Sequence, residues 1–187
     1  MHLAVWIPVA IIVVIVLWYI LTYNKFRRMK VMVQEAWSGI DVQLKRKANI
    51  IPNLVDSIKM QMNFESDLLK KLTELRGGLA SDDHAEAIKA NEQINALMPS
   101  INAVAENYPT LGTNESFLRL MGDIRDAEDK IAYARNRYNI SVSRYNMDIV
   151  SIPNNIVAGM MRLEAEPMFE ISETVRKDTD DMRISQL

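Results

Sequence analysis

Between Leu3 and Asn24 no side chain carries a charge. The stretch LAVWIPVAIIVVIVLWYIL, Leu3–Leu21, is nineteen residues long. As an α-helix it measures about 28 Å, close to the hydrocarbon thickness of a bilayer. Few folds bury such a run, because a core helix needs apolar cover on every side. A cleaved signal peptide fits no better: no basic segment precedes the run, and LWYILTYN offers no small-residue cleavage site. The run reads as a retained transmembrane anchor. Trp6 sits near one end and Trp18, Tyr19 and Tyr23 near the other, where amphipathic rings favour the headgroup level. Lys25, Arg27, Arg28 and Lys30 crowd the C-terminal flank, whereas the N-terminal flank carries only the terminus and His2. Basic flanks stay in the cytoplasm, so the expected topology is single-pass in the inner membrane, with the N-terminus outside and the rest cytoplasmic. The basic cluster also attracts anionic headgroups, at about 1 kcal/mol per side chain.

Beyond the anchor, apolar residues recur at steps of three and four. Phe26, Met29, Val33, Trp37, Ile40, Leu44, Ala48 and Ile51 form one helical stripe. It continues past Pro52 through Val55, Ile58, Met62, Leu69 and Leu72, and Gly77-Gly78 is expected to close it. A second helix is expected behind Ser81, Asp82 and Asp83 as N-cap candidates, on Ala85, Ile88, Ile94, Leu97, Ile101, Val104 and Ala105. Pro99 should kink or split it. Tyr108–Ser116 reads as a connection, with Thr113 or Asn114 capping a third helix. That helix steps cleanly from Phe117 through Met121, Ile124, Ala127, Ile131, Ala134, Tyr138, Val142 and Tyr145 to Ile149, and Pro153 ends it. A short apolar segment, Ile156 to Leu163, follows. The predicted class is all-α: one N-terminal transmembrane helix, then an antiparallel helical bundle with long helices. The expected division is residues 1–24 as anchor, 25–171 as bundle and 172–187 as a polar, disordered tail.

Composition closes several functional classes. There is no cysteine, hence no disulfide, thiolate metal site or cysteine nucleophile. The net charge of −2 is too balanced for a nucleic-acid partner. It hides an asymmetry: residues 25–60 hold eight Lys/Arg against three Asp/Glu, and residues 161–187 hold four against seven. His2 and His84 lack partners at metal-ligand spacing, and no nucleotide or hydrolase motif occurs, so no cofactor, metal or catalytic residue is assigned. Carboxylate pairs such as Glu128-Asp129 fit a solvated face. Most of the twelve methionines fit as core gap-fillers.

Three features stand out. Tyr138-Asn139 and Tyr145-Asn146 repeat at a heptad offset, placing both tyrosines on one stripe and both asparagines on its edge, with Arg135 one turn earlier. The simplest role is tyrosines in the core with hydroxyls bonded to a neighbouring helix. The alternative is a polar site with Arg135, Asn139 and Asn146, to which Asp41, Arg46 and Asn53 are further candidates. Asp41 and Lys45 have i, i+4 spacing for an ion pair. Pro52 is the second feature: it cannot donate to the Ala48 carbonyl, so it is expected to mark a structural kink or break. The third is a mismatch of lengths. Asn24 to Arg76 as one helix spans about 80 Å, and Asp82 to Asn107 returns only about 39 Å. The stripe of Met29, Val33, Trp37, Ile40 and Leu44 then needs cover from later helices or from a second copy, and is the candidate oligomer interface.

The blocks VQEAWSGIDVQLKRKANIIPNLVDSIK, ENYPTLGTNESFLRL and AEDKIAYARNRYNISVSRYNMDIVSIPNNIVAG resemble the LemA family, in order and at similar spacing, with coverage of roughly residues 23–169. The resemblance implies a short anchor and a helical bundle. Related proteins of magnetosome membranes imply a part in membrane organisation. Pro99, Gly112, where a lysine is usual, and Gly122 inside the third helix depart from the pattern. The expected function is therefore non-enzymatic: a membrane-anchored, homo-oligomeric scaffold, with another membrane protein as a further candidate partner. The alternative is a sensor or adaptor binding a small ligand or partner helix near Arg135, Asn139 and Asn146. The topology is directly testable. Protease added to right-side-out vesicles is expected to spare the domain after Lys25, and its digestion there would reverse the assigned orientation.

Overall fold

The computed structural model describes residues 3–61 and 67–169. They form α-helices with no strand among them, as the periodicity requires. The order is α1 Leu3–Gln61, α2 Asp67–Leu79, α3 His84–Asn107, the short α4 Pro109–Gly112, α5 Glu115–Val150 and α6 Asn154–Met160. The chain divides into two compact units: residues 1–33 with 138–187, and residues 34–137. The expected tail, 172–187, lies outside the described residues, as do His2 and Met62.

In the unit of residues 34–137, the cores of α1 and α5 are the apolar stripes read from the sequence. Ile40, Leu44, Ala48 and Ile51 are buried from α1, and Phe117, Met121, Ile124, Ala127 and Ile131 from α5. The two helices run antiparallel here, with Gly39 beside Ala134 and Lys47 beside Glu128. Asp83 caps α3 by accepting from the Ala85 and Glu86 amides, and Asn114 caps α5 by accepting from Phe117. The α3 core differs from expectation: its buried face is Ala87, Ala90, Asn91, Ile94 and Ile101, and Ala85 is exposed. The helix also runs through Pro99 without a break.

Two glycines have packing roles. Gly77 and Gly78 do not end the helix; they lie inside α2, which continues to Leu79. A Cβ at Gly78 would sit 2.7 Å from the Ala90 Cβ, so the glycine sets the close approach of α2 to α3. At Gly112 a Cβ would meet the Ala105 carbonyl at 2.9 Å, so the glycine permits the close approach of α4 to the end of α3.

Much of the stripe offered as a candidate interface is covered within the chain. Ile40 and Leu44 are fully buried within one chain, Val33 nearly so, and Met29 half-buried. Trp37 stacks on His84 at the start of α3, with ring centroids 3.6 Å apart and an interplanar angle of 22°. Cover from later helices was one of the two alternatives left open by the mismatch of lengths, and both α3, at Trp37, and α5, beside Gly39 and Lys47, supply it in the unit of residues 34–137.

Among the described residues of this core, one fully buried side chain is charged, that of Lys47. Its ammonium donates to Asn91 Oδ1 at 2.7 Å, Asn95 Oδ1 at 2.6 Å and Glu128 Oε2 at 2.8 Å. Asn95 Nδ2 donates in turn to Glu128 Oε1 at 2.6 Å. Three N–H donors thus meet three acceptors from α3 and α5. Burial pulls the Lys47 pKa below the usual lysine value, and the Glu128 carboxylate opposes that shift.

Pro52 neither breaks nor ends α1. Its missing N–H strands the carbonyl of Ala48, a buried residue. Arg76 of α2 replaces that donor: its Nε donates to Ala48 O at 3.2 Å. The broken helical bond is thereby exchanged for a tertiary bond between α1 and α2. Arg76→Ala is expected to cost about 1–3 kcal/mol, the usual penalty of an orphaned buried acceptor. In a Pro52→Ala background the loss should shrink, because the substituted backbone regains an N–H that can donate to Ala48 O. A double-mutant cycle by urea denaturation measures the difference. Equal losses in both backgrounds would show that Arg76 does not serve this carbonyl.

Candidate functional site at the tyrosine–asparagine ladder

In the unit containing residues 138–187, α5 presents its repeated Tyr-Asn pairs to the extended segment after α6. Asn146 accepts from the Glu166 amide and donates to the Glu166 carbonyl, both at 2.9 Å. Asn139 does the same with Phe169, accepting at 2.8 Å and donating at 2.9 Å. Between them Tyr138 Oη donates to the Pro167 carbonyl at 2.9 Å. The spacing explains the repeat. Seven residues of α-helix rise about 10.5 Å, and three residues of extended chain cover about 10 Å. A heptad of asparagines therefore matches residues 166 and 169 of an antiparallel extended segment. Each amide group pairs like a strand edge, satisfying backbone that no helix or sheet would otherwise satisfy.

The tyrosines are core residues, as expected, but the Tyr138 hydroxyl meets an extended segment and not a helix. Burial raises the pKa of both Tyr138 and Tyr145, and the charge of Glu166 adds to it. The Tyr145 hydroxyl is buried without a partner among the described residues. Phe169 is buried too, closing the segment against the unit.

The other polar candidates lie in the unit of residues 34–137. Asp41 pairs with Lys45 at 2.9 Å, the i, i+4 pair its spacing suggests. Arg46 bonds Asp126 at 2.6 Å and lies 3.7 Å from Asp123, both on α5. Asn53 is exposed on α1, and Arg135 is half-buried on α5. Asp126, on the surface, has its pKa held down by hydrogen bonds from Lys130 and Arg46. The Lys47 cluster was missed altogether, although Lys47 sits three residues after Leu44 and four before Ile51, inside the apolar stripe.

The same unit holds a cleft of about 720 Å³. One wall is α1 from Tyr19 to Lys30, and the other is the chain from Met160 to Pro167. Lys25 bonds Asp148 at 2.7 Å and fixes the end of α5 against α1. Lys30 lies 3.9 Å from Glu166. Arg162 turns the chain out of α6 with φ of 52°, the left-handed region. Its amide donates to Gly159 O and that of Leu163 to Ala158 O, the bonding of a helix C-cap that usually carries glycine. An arginine there costs on the order of 1 kcal/mol in backbone strain.

From Trp6 to Leu21 the large apolar side chains of α1 are mostly exposed. Among the described residues, α1 is the one helix long and apolar enough to cross a membrane. The LemA family model matches residues 36–183, most of the chain. The chain belongs to the LemA family. It is 28% identical over 164 residues to protein LemA of Metamycoplasma hominis, covering 87% of this chain and 75% of that one. It is 25% identical over 184 residues to magnetosome protein MamQ 2 of Paramagnetospirillum magneticum, covering 84% and 68%. It is 23% identical over 175 residues to magnetosome protein MamQ of Magnetospirillum gryphiswaldense, covering 78% and 64%. This LemA-family chain is thus a membrane-associated helical protein, and both the ladder and the Lys47 cluster lie inside the matched region.

The ladder predicts local behaviour. Asn146→Ala and Asn139→Ala each remove two hydrogen bonds, about 1 kcal/mol apiece. Backbone amide exchange at Glu166 and Phe169 is expected to accelerate about tenfold or more through local opening, with the slow amides near Lys47 unchanged. Unaltered exchange at Glu166 and Phe169 would mean the asparagines do not hold the segment.

Proposed function

We propose that this LemA-family chain is a non-enzymatic membrane-organising scaffold, held by α1 at the cytoplasmic face of the inner membrane and gathered there as a homo-oligomer. The observation that carries this reading is an apolar shoulder beside the anchor. α5 runs antiparallel to α1, so residues after Asp148, which bonds Lys25, lie toward the apolar end of α1. There Val150, Ile152, Ile156 and Met160 are 73%, 85%, 58% and 69% exposed. Met160 and Met161 line the same cleft as Tyr19 and Tyr23. Thr22 and Phe26 are buried, so the unit reaches the level of the aromatic belt. Large apolar side chains exposed at that level have a solvent if they enter the bilayer interface. A domain seated on the membrane by both an anchor and a shoulder is fixed in tilt as well as depth. Copies held in one plane and one orientation meet at high effective concentration, so weak contacts suffice for assembly. Kinship with magnetosome proteins supports the same direction. The adaptor reading needs free amides at Asn139 and Asn146, and both are bonded to the chain's own backbone.

The chain has no cysteine, so single-cysteine variants label without background. Nitroxides at Ile152→Cys, Ile156→Cys and Met160→Cys in nanodiscs should relax more with oxygen than with a water-soluble nickel reagent. A label at Met60→Cys, exposed near the end of α1, serves as aqueous reference. Nickel accessibility at Ile152 equal to that at Met60 would remove the shoulder from the membrane. Dipolar broadening between labels reports the homo-oligomer, and a monomeric mass by light scattering in mild detergent would remove that part of the proposal.

A further inference from the structure

The cleft beside the anchor has a composition that a plain basic patch lacks. Arg27 projects from α1, Arg162 from the turn after α6, and Glu164 and Glu166 from the segment that follows. Among the described residues no carboxylate pairs with Arg27 or Arg162. Lys30 is already drawn toward Glu166. Cations and carboxylates therefore share one cavity, with both arginines uncommitted. The aromatic rings of Tyr19 and Tyr23 stand at its membrane-side end, their centroids 6.3 Å apart. Arg162 reaches the cleft only from a left-handed backbone that glycine would occupy more easily, so strain is stored where the side chain is presented.

We infer that this cleft binds one phospholipid whose headgroup carries both a phosphate diester and a primary ammonium, the phosphatidylethanolamine class. The inference rests on the reading of α1 as a membrane anchor. Guanidinium groups match phosphate oxygens with paired N–H donors, the role of Arg27 and Arg162. The ammonium donates to Glu164 and to the Glu166 carboxylate. The glycerol and first acyl carbons lie toward Tyr19, Tyr23 and Met160. A phosphatidylglycerol headgroup leaves the two glutamates facing its negative charge without a cation. A phosphatidylcholine headgroup brings a cation with no N–H to donate. The cleft volume lies within the range of ordinary small-ligand sites.

The test uses full-length protein in nanodiscs of mixed phosphatidylethanolamine, phosphatidylglycerol and phosphatidylcholine, released and read by native mass spectrometry. One phosphatidylethanolamine is expected to remain bound in preference to the other two. Arg27→Ala and Arg162→Asn should each weaken its retention about tenfold, the loss of one charge-assisted hydrogen bond. Asparagine tolerates the left-handed backbone, so Arg162→Asn removes the cation without disturbing the turn, and an unchanged thermal unfolding midpoint verifies this. Glu164→Gln with Glu166→Gln should shift the preference toward phosphatidylglycerol. Equal retention of the three lipids, a wild-type preference for phosphatidylglycerol, or indifference to Arg162→Asn would overturn the site. Soluble phosphoethanolamine should compete only weakly, and competition as strong as by the lipid would overturn the lipid assignment. Failure of the anchor reading looks different: the protein would not enter nanodiscs at all.

Discussion

A primary ammonium cannot be left unsolvated in an apolar core, and Lys47 is the centre of this one. Taking such an ion out of water costs several kcal/mol even after relaxation. The cost is offset only when every N–H finds an acceptor, and the acceptors must sit at one register on two other helices. Asn91 and Asn95, one turn apart on α3, and Glu128 on α5 meet that demand together. Apolar packing alone tolerates sliding, because leucine and isoleucine stripes interdigitate nearly as well one turn away. The Lys47 cluster does not tolerate it. A shift of one turn on α1 or α5 leaves a buried cation with too few partners. The cluster therefore fixes which turn of α1 faces which turn of α3 and α5. Glu128 is partly exposed, at 36% of its side chain, so water assists the carboxylate end and the lysine end carries most of the constraint.

Pro52 follows a related rule. A proline within a helix costs about 3 kcal/mol when its orphaned carbonyl has no other donor. Here the donor comes from Arg76, and the helix stays whole. The consequence is a dependence of α1 on α2 that local sequence does not announce. The proline converts a bond within one helix into a bond between two.

These two cases show where the sequence is legible. Elements that depend on short-range physics can be read: the charge-free anchor, the period of α5, the caps at Asp83 and Asn114. Features that depend on a distant residue cannot. Pro52 reads as an interruption because the donor that replaces its lost bond, Arg76, lies 24 residues further on, and the pair is visible only when α2 is in place. The stripe from Met29 to Leu44 announces that it needs cover, but nothing local says whether a later helix or a second copy supplies it. Gly77-Gly78 looks like a terminator because a glycine needed for close packing and a glycine at a C-cap are alike in one dimension. Lys47 is the reverse case. Its place in the apolar stripe is visible and points to a buried charge. The Tyr-Asn repeat stands out as a unit, but its partner, the backbone of residues 166–169, has no side-chain signature for a sequence to display.

The unit that carries the apolar end of α1 meets a different physical demand from the unit around Lys47. Its α1 segment presents apolar surface outward along the charge-free run and buries side chains inward just beyond it. That switch occurs between Leu21, exposed, and Thr22 and Phe26, buried. Lys25 bonds Asp148 at the same level, so a charge pair and not a packing contact marks the border. The segment from Arg162 to Phe169 then needs holding in an extended form, where no helix satisfies its backbone. The asparagines of α5 do this at two points and Tyr138 at a third. Their combined effect is to hold the backbone at Glu166, Pro167 and Phe169 against α5. The ladder thus supports one wall of the cleft, the chain from Met160 to Pro167, by committing polar side chains of α5 to its backbone.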